Sequence, residues 1–97
     1  MSLVGQTVRI IISEPFEWNY GNLFGQITSD RGGDKLIVKL TRELKCNKLT
    51  GDTVELKPRH ENERVNILEK HYSLTVNGTL VTPHGREFIF AGSVTLD

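Results

Sequence analysis

The stretch Gly21 to Leu40, GNLFGQITSDRGGDKLIVKL, constrains the fold more than any other part of this chain. Leu23, Gly25 and Ile27 fall on one side of an extended backbone, with Phe24, Gln26 and Thr28 on the other. Leu36, Val38 and Leu40 then alternate with Lys35, Ile37 and Lys39. A side-chain period of two belongs to strands, not helices. Between the two runs, Asp30-Arg31-Gly32-Gly33-Asp34 supplies residues that tolerate positive φ, so the chain can reverse and pair the runs antiparallel. Each strand then offers one apolar face to a core.

The same period recurs along the chain. Gln6 to Ser13 reads as a strand with Val8, Ile10 and Ile12 on one face, ended by Glu14-Pro15 because proline cannot donate to a ladder. An aromatic connection follows, with Phe16, Trp18, Tyr20 and Phe24 packed among Glu14, Glu17 and Asn19. Arg42 to Gly51 is polar and reads as a loop, with Leu44 and Leu49 pinned to the core and a turn at Thr50-Gly51-Asp52. Thr53 to Lys57 resumes the alternation with Val54 and Leu56 inward, and Pro58 closes it. Arg59 to Arg64 is wholly polar and reads as a loop, followed by a strand through Val65, Ile67 and Leu68, a short helix being the alternative. Asn77-Gly78 predicts a two-residue hairpin turn placing Val76 opposite Thr79 and Leu74 opposite Val81. Pro83-His84-Gly85 predicts the next turn. Phe88, Phe90, Gly92, Val94 and Leu96 then share one face of a final strand. Six to eight short strands, roughly, and little or no helix are expected.

With 97 residues, 37% hydrophobic and 25% charged, the chain has the size and composition of one soluble domain. Its longest dense apolar run, Val8 to Ile12, is broken by Arg9 and is far shorter than the roughly 18 residues of a membrane span. No secretory leader pattern is visible at Met1. The single cysteine, Cys46, excludes an intramolecular disulfide and fits a reducing compartment, so a cytoplasmic location is expected. Twelve basic residues balance twelve acidic ones, which argues against a dedicated nucleic-acid binder. The balance is uneven, because Lys35, Lys39, Arg42, Lys45 and Lys48 face only Glu43 between Lys35 and Lys48.

Catalytic and metal-binding patterns are missing. His60, His71 and His84 match no ligand spacing, there is no HExxH and no cysteine pair, and no cofactor is implied. Cys46 stands beside Lys45 and Lys48, which would favour its thiolate, but no nucleophile signature surrounds it. GNLFG and DRGGD lack the lysine and helix of a phosphate loop, and turn chemistry accounts for them. The chain therefore reads as a binding module, not an enzyme.

Two surfaces qualify. Phe16, Trp18 and Tyr20, spaced by two, would project together from an extended segment and, with Phe24, either cap the barrel as core or line a groove for a peptide or a cationic side chain. The basic residues Lys35, Lys39, Arg42, Lys45 and Lys48 would meet phosphate or an acidic protein surface, or simply guard a solvated edge.

The order of strand, aromatic loop, glycine-bounded hairpin and strand closed by Pro58 resembles the layout of small SH3-like barrels. Gly21, Gly25, Gln26 and Ile27 are loosely similar to the glycine pattern of KOW modules within that class. The resemblance covers Thr7 to Pro58. The chain departs from KOW modules in its neutral charge and its further residues, and from peptide-binding SH3 domains in lacking their paired tyrosines. The resemblance implies an all-β domain, a small SH3-like barrel or barrel-like antiparallel sheet with an additional C-terminal hairpin and strand. A protein or peptide partner bound through the aromatic loop is the expected function, and RNA or another nucleic acid on the basic edge is the alternative. An exposed edge strand in such a sheet would also offer a surface for a homodimer.

Overall fold

Six strands follow one another around a closed antiparallel barrel: β1 (Thr7–Glu14), β2 (Asn22–Ser29), β3 (Leu36–Cys46), β4 (Leu49–Pro58), β5 (Ser73–Val81) and β6 (Glu87–Leu96). The computed structural model describes residues 3–14, 22–46, 49–60, 63–65, 68, 73–82 and 87–97. Each strand pairs with the next, and β1 pairs with β6 to shut the seam, so that Ile10 lies opposite both Leu23 and Val94. The all-β expectation and the small barrel hold, and the strands after Pro58 are what complete the closure.

The period of two becomes the inside and outside of the barrel. Val8, Ile10 and Ile12 of β1, Ile27 of β2, Leu36, Val38 and Leu40 of β3, and Val54 and Leu56 of β4 are buried. Leu74, Val76 and Leu80 of β5 and Phe90 and Val94 of β6 complete the lining. Burying each such side chain stabilises the fold by about 1.5–3 kcal/mol before the ordering entropy is counted. Three register shifts, at Ile12/Glu14, at Ile27/Ser29 and between Lys39 and Leu44, bend the ladders and aid closure. The β2–β3 reversal is a short 3-10 turn over Arg31–Gly33, where Arg31, Gly32 and Gly33 all have positive φ, as the glycine pair requires.

One end is closed by the β4–β5 connection. Val65 and Leu68 are fully buried and join Leu3 in the core. Arg64 ties this connection to the β2–β3 turn, donating from Nη2 to the Gly32 carbonyl and standing 3.8 Å from Asp34.

Four expectations are corrected. Arg42 to Gly51 is not a loop: β3 runs on to Cys46 and β4 starts at Leu49, although Leu44 is buried and Leu49 packs on the core as expected. Asn77-Gly78 is not a turn either. Both residues lie in the middle of β5, with Val76 opposite Gly92, Leu74 opposite Val94 and Val81 opposite Glu87. The glycine is there for space: a Cβ at Gly78 would lie 2.2 Å from Cζ of Phe90, whose ring covers the strand at that point. The turn expected at Pro83-His84-Gly85 falls outside the described residues, between the end of β5 and the start of β6. Val65 and Leu68 take helical, not extended, backbone, consistent with two buried apolar residues three apart. Finally, β3 has a partner on both sides, so Lys35 and Lys39 guard no edge, and closure removes the free edge strand on which a homodimer was expected. No helix among the described residues is long and apolar enough to cross a membrane.

Candidate binding face on strands β1 to β3

The residues that point away from the core differ in character around the barrel. Between its start and Ile11, β1 turns Thr7, Arg9 and Ile11 outward; β2 presents Asn22, Phe24, Gln26 and Thr28; β3 presents Ile37, Lys39 and Thr41. None of these ten side chains is a carboxylate. The nearest carboxylates lie further along the wall: Glu55 of β4 stands opposite Ile37, Glu14 closes β1 beside Ala91, and Glu43 is exposed near the end of β3. Two of the ten, Arg9 and Lys39, are cations, so this part of the wall is locally basic on a chain of zero net charge.

Register places the key residues in a row. Arg9 is directly opposite Phe24. On the other side of Phe24, the Thr41 hydroxyl donates to the Phe24 carbonyl at 3.2 Å. Arg42, the next residue, lines a cleft of about 320 Å³ together with Asn22, Leu23, Phe24 and Thr41. One row down, Lys39 lies opposite Gln26. Phe24 is 38% exposed in the middle of this arrangement, an apolar ring with a cation on each flank.

The register shift between Lys39 and Leu44 sorts the charges. Arg42 turns to the Phe24 cleft, whereas Glu43 lines a different depression with Thr50, Gly51, Asp52, Thr53, Val81 and Thr82. A regular strand would have left the two neighbours alternating about the barrel wall. The bulge instead leaves both exposed.

Arg9 occupies its position at a cost. Its Nε is covered and has no hydrogen-bond partner among the described residues, and no carboxylate among them forms an ion pair with it. A buried, unsatisfied donor opposes folding.

The sequence-derived surfaces are only partly assembled. Phe16, Trp18, Tyr20 and Lys48 lie outside the described residues, so Phe24 alone represents the aromatic loop. Lys39 and Arg42 join Phe24 on one face. Lys35 precedes β3 beside the β2–β3 turn, and Lys45, opposite Thr50, lies near the far end of the same strand. Nine residues of strand lie between those two lysines, about 30 Å, so the basic run is not one site. Sequence reasoning missed Arg9, Thr41 and Asn22. Arg9 carried a readable signal, as the only charge interrupting the apolar run of β1, but its position opposite Phe24 depends on a strand pairing formed across the aromatic connection.

No known family model, curated protein or solved structure matches the chain. The face must be interpreted from its own chemistry. Among the described residues no group of three or more His, Cys, Asp and Glu side chains is placed to hold a metal ion, and His60 is exposed in a bend. Among the described residues the face brings together hydrogen-bonding hydroxyl and amide groups, three cations and one exposed ring, with Ile11 and Ile37 beside them.

Proposed function

We propose that this protein is a non-catalytic binding module whose ligand face is the outer surface of β1, β2 and β3, and that its partner is anionic. The observation that carries this reading is the position of Phe24 between Arg9 and Arg42, with Lys39 nearby; the carboxylates of these strands, Glu14 and Glu43, stand at the end of β1 and beyond the register shift of β3. Cations gathered in this way raise the local concentration of an anionic partner and orient its approach, even on a neutral protein. The aromatic-loop reading meets the basic-edge reading at this point, since Phe24 belongs to one and Lys39 and Arg42 to the other.

Retention on a polyanion matrix such as heparin tests the proposal. The wild-type protein is expected to bind at low salt and to elute as salt rises. The combined variant Arg9→Gln, Lys39→Gln and Arg42→Gln should lose retention. A control of equal net charge, Arg31→Gln, Lys57→Gln and Arg59→Gln, removes three exposed cations elsewhere and should keep most of it. Equal loss in both variants would mean that overall charge and not this face governs binding, and the proposal would fall.

A further inference from the structure

Resting on the anionic-partner reading, we infer that the ligand is a single-stranded nucleic acid, with an unpaired base stacked on Phe24 and phosphates held by Arg9, Lys39 and Arg42. Three observations favour this occupant over an acidic peptide. The exposed side chain at the centre is a flat ring, and every base offers a π-face to such a ring regardless of sequence. The cations flank that ring on both sides instead of clustering to one, with Arg9 directly across the ladder from it and Arg42 in the cleft beyond it. Neighbouring strands are about 4.8 Å apart, so a backbone crossing the strands would pass a cation before and after the stacked base. Among the described residues, the cleft beside the ring is walled by Asn22 and Thr41, an amide and a hydroxyl that suit a base edge or a sugar hydroxyl, and by Leu23. An acidic peptide would use the cations but would leave the ring without a matching surface.

Neutral net charge sets the expected scale. Three phosphate contacts on a single strand give a slope of log K against log salt of about −2, so affinity should fall roughly 20-fold between 50 and 200 mM salt. That is a shallow dependence for a nucleic-acid binder, and it is what a module with one local basic face should show.

The test is fluorescence anisotropy with labelled eight-nucleotide oligouridine and oligothymidine, a duplex of matched length, and an octaglutamate peptide. The single strands should bind more tightly than the duplex and the peptide. Phe24→Ala should weaken single-strand binding by about 5- to 150-fold, the range expected for loss of one stacked base, while circular dichroism shows the fold retained. Phe24→Leu, which keeps apolar bulk without the ring, should recover little of the loss. Equal binding of octaglutamate, with Phe24→Ala without effect, would overturn the nucleic-acid inference and leave the anionic-partner reading standing. Equal binding of the duplex would also overturn it, because a paired base cannot stack on Phe24. Binding of none of these probes at 50 mM salt would overturn both.

Discussion

Replacing Gly78 by alanine would put a methyl group where the Phe90 ring already lies. The new Cβ would sit 2.2, 2.3 and 2.7 Å from Cζ, Cε2 and Cε1 of Phe90. Comfortable carbon contacts are about 3.5–4.0 Å, so the ring would have to retreat by more than about 1 Å. Phe90 is only 2% exposed and packed on all sides, and a close-packed interior gives such a ring little room. Overpacking of this kind costs about 1–3 kcal/mol, and three ring atoms in conflict place Gly78→Ala in the upper part of that range. For a domain of 97 residues that corresponds to a fall in Tm of roughly 10–20 °C. The mechanism has a signature beyond the magnitude. Phe90→Leu removes the three atoms that the methyl group would meet, so in that background Gly78→Ala should cost close to nothing. A double-mutant cycle by urea denaturation should therefore return a coupling of about 1–3 kcal/mol. A turn at Asn77-Gly78 would instead require positive φ at the glycine, which the structure does not show there. If alanine costs the same whether position 90 carries phenylalanine or leucine, the penalty arises from the backbone and the ring-over-glycine account is wrong.

Three further outcomes are expected. Gly92→Ala should be more damaging than Gly78→Ala, because its Cβ would meet the Ile11 carbonyl oxygen at 2.0 Å across the β1–β6 seam, and backbone yields less readily than a side chain; comparing denaturation midpoints decides the order. Arg9→Thr should leave stability unchanged within about 1 kcal/mol or raise it, since the covered Nε has no partner to lose, while weakening binding to the polyanion; a large loss of stability would show that Arg9 serves the fold. Leu68→Ala should cost about 2–5 kcal/mol by emptying the closed end of the barrel, whereas Arg64→Ala should cost under about 1 kcal/mol because its ion pair with Asp34 is exposed; thermal melts of the two variants give the contrast.

Much of the barrel was legible because local alternation and burial agree. Val8, Ile10 and Ile12, then Leu36, Val38 and Leu40, point inward as their spacing requires, and the glycine pair at Gly32-Gly33 turns the chain as expected. The errors came from residues whose local preference yields to a distant partner. Asn77-Gly78 is a strong turn signal in isolation, but the Phe90 ring needs a strand position without a side chain, and the ladder to β6 carries the backbone straight through it. Arg42 to Gly51 looks like a polar loop because the register shift between Lys39 and Leu44 disrupts the alternation that would mark a strand. The candidate face was half legible: Phe24, Lys39 and Arg42 stand close in the sequence of one hairpin. Arg9 joins them only through closure of β1 onto β2, a pairing no local pattern encodes.

The most direct test of the binding face is an amide chemical-shift titration of the labelled protein with eight-nucleotide oligouridine at low salt. The account predicts that the largest shifts fall on Arg9, Phe24, Lys39, Thr41 and Arg42, with Val81 and Ile89 on the β5–β6 surface unmoved. Shifts concentrated around the exposed Ile89 and Val81 instead, or none at saturating ligand, would contradict it.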